Sequence, residues 1–336
     1  MSDNQIFCEI QKRILNDKQE NNELKNNIDK KQHNYETLSV IGLTIAALFW
    51  GISYPLTKYV EDCPTFYIIA LRFAIATVTL SIFLFPHFKN INKATIKYAF
   101  ILSIMITIMY ILNIVGVKYT TAVRSSFFTT LSFLIVPVIN WVAYKVRISR
   151  IIVISAAICL AGMFMLCYTP EMGSIVVNFG DILCIGASVI GAVNIIYMEK
   201  MSHHEDIDSS LFTICLMAGV SLWGVVIGLF TGDLNYSADS SSQIIAIVIM
   251  GLLCSAGAFI LQIHSERYVP SNRVGIIFSL EPASGCILSV IILHESMSWI
   301  GWTGAAVIMI SILYMEYANN KKAKLAAAHL KGDDAE

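Results

Sequence analysis

Glu281 stands directly before Pro282 inside a long apolar run, and an ionisable group in such a place is a functional candidate by default. With a helix starting near Ser271, its carboxyl lies about 15 Å along the axis, close to the middle of a hydrocarbon core about 30 Å thick. Protonation makes the group neutral there. It can therefore exchange a proton during a cycle, pair with a cationic group of a solute, or stand as a hydrogen-bonded structural acid beside the proline. Arg273 shares the helix face loosely and lies near the start of the same run, where it either holds a carboxylate or snorkels to the interface. Arg124, at the start of another run, has the same two options. Arg72 lies inside the second run, where Glu61, Asp62 or exposed carbonyls would satisfy it as a structural anchor, a substrate role being the alternative.

Neutral groups add to this set. Trp50, Gly51, Ser53 and Tyr54 place aromatic and hydroxyl groups at mid-depth of the first run with Pro55 just beyond, and Phe278 lies at mid-depth of the ninth. Such groups suit a cavity wall that takes amphipathic organic solutes, although aromatic stripes also serve plain packing. Asn113, Asn140, Asn194 and Gln262 would strand donors and acceptors if they faced lipid, so they point inward. Asn113, Asn194 and Tyr197 are read as cavity residues and Asn140 as interhelical glue.

Enzymatic chemistry finds little support. The seven His (33, 87, 203, 204, 264, 294 and 329) avoid mid-depth, and there is no HExxH, no Walker-type loop and no Gly-x-Ser-x-Gly. His203-His204-Glu205-Asp206 with Asp208 has metal-binding residue types but reads as a solvated charged loop, so neither a metal nor a cofactor is expected. The eight Cys show no CxxC or metal spacing and read as reduced packing residues.

The elements that must position these groups follow from composition. Hydrophobic residues make up 56% of the 336-residue chain and charged residues 14%, against about 25% charged in a soluble domain. The charges crowd into the ends, 13 of them in residues 1–36 and 7 in residues 321–336. With a net charge of −1 and no strong polybasic tract, nothing argues for nucleic acid. Ten apolar runs are each long enough to cross a bilayer as a helix: 38–60, 65–86, 98–117, 121–144, 151–168, 179–198, 209–230, 243–264, 271–293 and 298–317. They are continuously apolar and not alternating, so helices and not barrel strands are expected. The fold class is all-α, a polytopic membrane protein.

The runs also repeat. Arg124, Pro137 and Arg147 in and after the fourth correspond in plan to Arg273, Pro282 and Glu295 in and after the ninth. Five helices per half is an odd number, so the second half must thread the bilayer in the opposite sense, giving two inverted five-helix repeats. The expected layout is a polar tail over 1–37, repeats over 38–168 and 179–317, and a second tail over 318–336. Buried prolines lack an N–H and clash with the carbonyl four residues back, so breaks are expected at Pro55, Pro137 and Pro282. Lys and Arg crowd one set of loops, which places both termini in the cytoplasm. The N-terminal residues do not have the form of a signal peptide.

The order of Leu48-Phe-Trp50-Gly51-Ile-Ser53-Tyr54 with Lys58, Ala70-Leu-Arg72-Phe73, Glu281-Pro282 and His294-Glu295 resembles the ten-helix EamA-type branch of the drug/metabolite transporter superfamily over roughly residues 40–317. The resemblance implies a secondary transporter in the plasma (inner) membrane, exporting a small organic metabolite or amino acid by alternating access, with protons as a candidate coupling ion. It also implies a central cavity lined by helices 1, 3, 4, 6, 8 and 9. Arg147 stands where the family commonly has a Glu, and Pro137 lacks a preceding acid. Uptake or exchange of the same kind of solute, and a non-transporting sensor or scaffold with a packed centre, are the other readings.

Overall fold

A computed structural model describes residues 35–145, 150–169, 174–202, 207–238, 240–265, 268–269, 277–278 and 280–333. Its helices are α1 (Tyr35–Tyr59), α2 (Thr65–Phe83), α3 (Lys93–Tyr119), α4 in two segments (Ala122–Thr130 and Ser132–Tyr144), α5 (Arg150–Cys167), α6 (Phe179–Ser202), α7 (Ser209–Thr231), α8 (Ser241–Ser265), α9 (Leu280–Leu293) and α10 (Trp299–Asp333). Seven spans are long and apolar enough to cross a membrane, and Val153–Cys167, Leu280–Leu293 and Trp299–Tyr314 are shorter apolar helices. The remaining regular structure is small: short 3-10 turns and a two-residue antiparallel ladder, Tyr168–Thr169 with Ser174–Ile175.

Local chemistry sets the helix ends. Asn92, Thr121, Asp208 and Ser240 each accept a backbone N–H of the first turn that follows, satisfying donors that the helix leaves orphaned. Gly232, with φ 82°, ends α7. Lys145 (φ 56°) ends α4 and His294 (φ 53°) directly follows α9, both left-handed. Large apolar side chains such as Ile82, Phe83, Leu229, Phe230 and Ile310 stay exposed, as a surface solvated by lipid requires.

The packing has a two-fold pattern. Helices α2 and α7, α4 and α9, and α5 and α10 each pack on their own counterpart. Helix α3 packs on α6 and α7, and α8 correspondingly meets α2 and α1. At the α5–α10 crossing the two backbones touch reciprocally: a Cβ on Gly162 would lie 2.8 Å from the Gly304 carbonyl, and one on Gly304 would lie 2.6 Å from that of Gly162. Self-pairing of equivalent helices is what an approximate two-fold axis produces. With five helices per half, that axis relates oppositely threaded repeats.

The expected break at Pro55 needs correction, since helix α1 runs unbroken through it. Helix α4 is interrupted at Leu131, between Thr130 and Ser132, just before the Phe133 carbonyl that Pro137 cannot bond. Pro282 lies in Leu280–Leu293, and residues 277–278 before it are helical as well. Helix α10 continues well past 317, into the expected tail.

Candidate functional site

Three helices meet around Glu281. The Tyr54 hydroxyl of α1 donates to Glu281 Oε1 of α9 at 2.7 Å. This approach depends on small residues, because a Cβ on Gly51 would lie 2.9 Å from the Gly285 nitrogen, and one on Gly285 would lie 2.8 Å from Ser126 Cβ and 3.1 Å from Tyr54 Cδ2. Ser126 of α4 donates to the Val123 carbonyl at 2.7 Å and faces the Pro282 carbonyl at 3.4 Å, while Ser284 donates to the Glu281 carbonyl at 2.9 Å. Beside the acid, the Trp50 ring stands edge-on to Phe278 (centroids 5.0 Å apart) and Phe259 (5.7 Å). Trp50 and Phe278 lie one turn from Tyr54 and Glu281 respectively, so each helix brings its aromatic and its polar group to one face. Tyr54 and Phe278 are buried, whereas Trp50 and Glu281 keep part of their surface. The arrangement is an aromatic wall next to a carboxyl that has one hydroxyl donor.

Arg72 forms a second cluster on the other side of α1. It is 1% exposed, and its partners are neutral: Ser255 Oγ at 2.7 Å, Ser53 Oγ at 3.0 Å, and Tyr110 Oη and the Cys254 carbonyl at 3.4 Å. Its guanidinium also lies over the Tyr110 ring, 4.8 Å from the centroid. The expected partners Glu61 and Asp62 do not serve it; Glu61 pairs with Lys58 instead. Ser255 and Cys254 belong to a π-helical stretch of α8, Met250–Gly257. That winding shifts the hydrogen-bond ladder, as is frequent at functional sites.

Arg124 does not snorkel. It pairs through Nη2 with the buried carboxylate of Asp181 in the first turn of α6 and donates to the Val176 carbonyl at 2.7 Å. Asp181 also accepts from Thr120 Oγ1 at 2.6 Å and the Asn178 amide at 2.8 Å. Nearby, Glu295 accepts the amides of Ala122 (2.8 Å) and Val123 (3.1 Å) at the start of α4.

The remaining candidates divide. Asn113 donates to Thr129 Oγ1 at 3.0 Å, tying α3 to α4. Asn194 is buried, and its Oδ1 has no partner among the described residues. Tyr197 packs on Tyr98 near the start of α3, with ring centroids 6.5 Å apart, and is not joined to the Glu281 cluster by any of these contacts. Asn140 is half-buried. Arg273 and the metal-capable His203–Asp206 lie outside the described residues; Asp208 caps α7 and pairs with His87 at 2.9 Å. Residue types alone did not single out Asp181, Ser255, Tyr110 or Phe259, because an acid in a first turn or a hydroxyl in a helix has many ordinary uses.

A polytopic helical bundle of two repeats whose halves meet at a partly exposed acid is the architecture of a membrane transporter. The comparisons narrow the class. The EamA-like transporter family matches residues 37–168 and again 178–317, so the chain belongs to that family and carries two copies of its unit. It is 24% identical over 275 residues to an uncharacterized transporter of Archaeoglobus fulgidus, covering 81% of this chain and 84% of that one. It is 26% identical over 282 residues to the uncharacterized transporter YetK of Bacillus subtilis, covering 80% and 84%. A solved structure described as "Crystal structure of protein" shares the fold, with a TM-score of 0.58 at 15% identity over 88% of this chain and 98% of the other.

Proposed function

We propose that this transporter exports a small organic metabolite or amino acid across the plasma membrane by alternating access, without ATP, with both termini in the cytoplasm. The observation that carries the reading is the Tyr54–Glu281 bond at 2.7 Å. It joins one repeat to the other where α1, α4 and α9 converge, so motion of one half against the other must remake it. In this reading Glu281 takes a proton or the cationic group of the solute, and Trp50, Phe278 and Phe259 wall its apolar body. Asn113 and Asn194 contribute polar contacts, and Arg72 holds α1, α2, α3 and α8 together.

A scaffold would have its central polar groups mutually satisfied. Asn194 Oδ1, without a partner among the described residues, and the exposed part of Glu281 favour transport over that reading. The test begins with metabolite profiles of cells lacking or overproducing the protein, which name the solute. In proteoliposomes, Glu281→Gln is then expected to abolish flux driven by a pH gradient while leaving counterflow of that solute. Normal dependence on the gradient in the variant would reject the role given to Glu281. Solute entering instead of leaving down the same gradient would replace export with uptake.

A further inference from the structure

We propose that Asp181 and Glu295 act together as a latch closing one mouth of the transport path, the mouth at the α4 N-terminus. The proposal rests on the alternating-access reading above. Both ties cross between the halves. Glu295 accepts the amides of Ala122 and Val123 with its two oxygens, a carboxylate set on the positive end of the α4 dipole. The left-handed His294 turns the chain after α9 so that Glu295 comes back to α4. Directly after Val123 on α4, Arg124 binds Asp181 of α6.

The Arg124 tie is strong but incomplete. Its Nη2 serves Asp181, the Val176 carbonyl and Cys167 Sγ, while its Nε is buried without a partner among the described residues. A buried donor left bare costs free energy, so the tie holds less firmly than a fully bonded pair would.

Opening the α4 mouth breaks two sets of charge-assisted bonds. In the orientation proposed above, the latched mouth is the one facing away from the cytoplasm.

The test uses the full chain in lipid nanodiscs and amide hydrogen exchange. Asp181→Asn is expected to speed exchange at Ala122 and Val123, which Glu295 and not Asp181 holds, about tenfold or more. Glu295→Gln is expected to do the same at the Asn178 amide, which Asp181 holds. A reporter Ser126→Cys, added to native cysteines that are buried or half-buried where described, is expected to react faster with an impermeant maleimide from the α4 side in both variants. Should Asp181→Asn not fold, Thr120→Val removes one donor to the same carboxylate, keeps all charges, and must still speed exchange at Ala122. Acceleration confined to the amide that each altered carboxylate itself bonds, or labelling unchanged from the α4 side, overturns the latch. None of these readouts needs a solute, so normal transport by Glu281→Gln would reject the site reading and leave the latch test standing.

Discussion

Replacing Arg72 by methionine removes a full charge from the bundle core, yet it is expected to cost no more than removing one hydroxyl that holds that charge. The guanidinium has two well-formed bonds, to Ser255 at 2.7 Å and Ser53 at 3.0 Å, and two long ones at 3.4 Å. Bonds to a charged group contribute about 1.5–3 kcal/mol each, and the long ones less. Against them stands the effective penalty of burying an ion, several kcal/mol. The terms nearly cancel, and methionine fills most of the vacated volume against the Tyr110 and Phe73 rings. A net loss of about 0–2 kcal/mol is expected. Ser255→Ala keeps the charge and strips its shortest acceptor, at about 1–3 kcal/mol. A carboxylate-paired arginine would behave in the opposite way, since deleting one partner strands a buried charge at about 3–5 kcal/mol. Reversible unfolding by SDS in mixed micelles, followed by circular dichroism, measures both variants. A loss above about 3 kcal/mol for Arg72→Met, largely cancelled by adding Glu281→Gln, would mean that Arg72 and Glu281 are direct partners and would refute the argument.

The same assay applies to the α5–α10 crossing. Gly162→Ala and Gly304→Ala should each destabilise by about 1–3 kcal/mol or more through overpacking, because the new Cβ meets backbone oxygen at 2.8 and 2.6 Å. Gly186→Ala, whose Cβ meets only Leu112 Cδ1 at 3.5 Å, should be neutral or stabilising by up to about 1 kcal/mol; equal losses at all three would contradict the crossing. Asn194→Leu tests whether the centre is dry: with Oδ1 unpaired among the described residues, the change should be neutral or stabilising by about 1 kcal/mol, and a clear loss would reveal that water holds the amide. Tyr54→Phe removes the donor to Glu281 and should weaken solute binding about tenfold or more. An unchanged KM in counterflow would remove Tyr54 from the site.

The sequence defined the bundle through long apolar runs, since a helix in lipid satisfies its own backbone and its length is bounded by the bilayer. The inverted plan was legible too, because an odd number of spans per repeat leaves no other threading. Glu281 stood out because a charge at mid-depth is rare, and Tyr54 because its neighbours repeat a family pattern. What could not be read was who meets whom across helices. Arg72 lies near two acids in sequence but bonds Ser53, Tyr110 and Ser255, because α2 faces α8 and not its own N-terminal loop. Asp181 gave no sign of pairing with Arg124, since the intervening residues hold no spacing rule for a contact between α4 and α6. Proline was over-read at Pro55, which sits in an unbroken helix.

The most informative differences are those between the two halves. A duplicated five-helix unit under purely structural demands should keep equivalent residues at equivalent places, as Gly162 and Gly304 do at their crossing. The departures instead fall on charge: Glu281 precedes Pro282 where Val136 precedes Pro137, Glu295 corresponds in plan to Arg147, and Asp181 adds a third acid in the second half. All three acids belong to the second half, and each meets a first-half partner: Tyr54, Arg124 or the α4 amides. In the alternating-access reading proposed above, an approximate two-fold scaffold gives two conformers of similar packing energy, and the ties made by these three acids make them unequal. That inequality lets the bundle prefer one resting state and release it by breaking a small set of polar contacts.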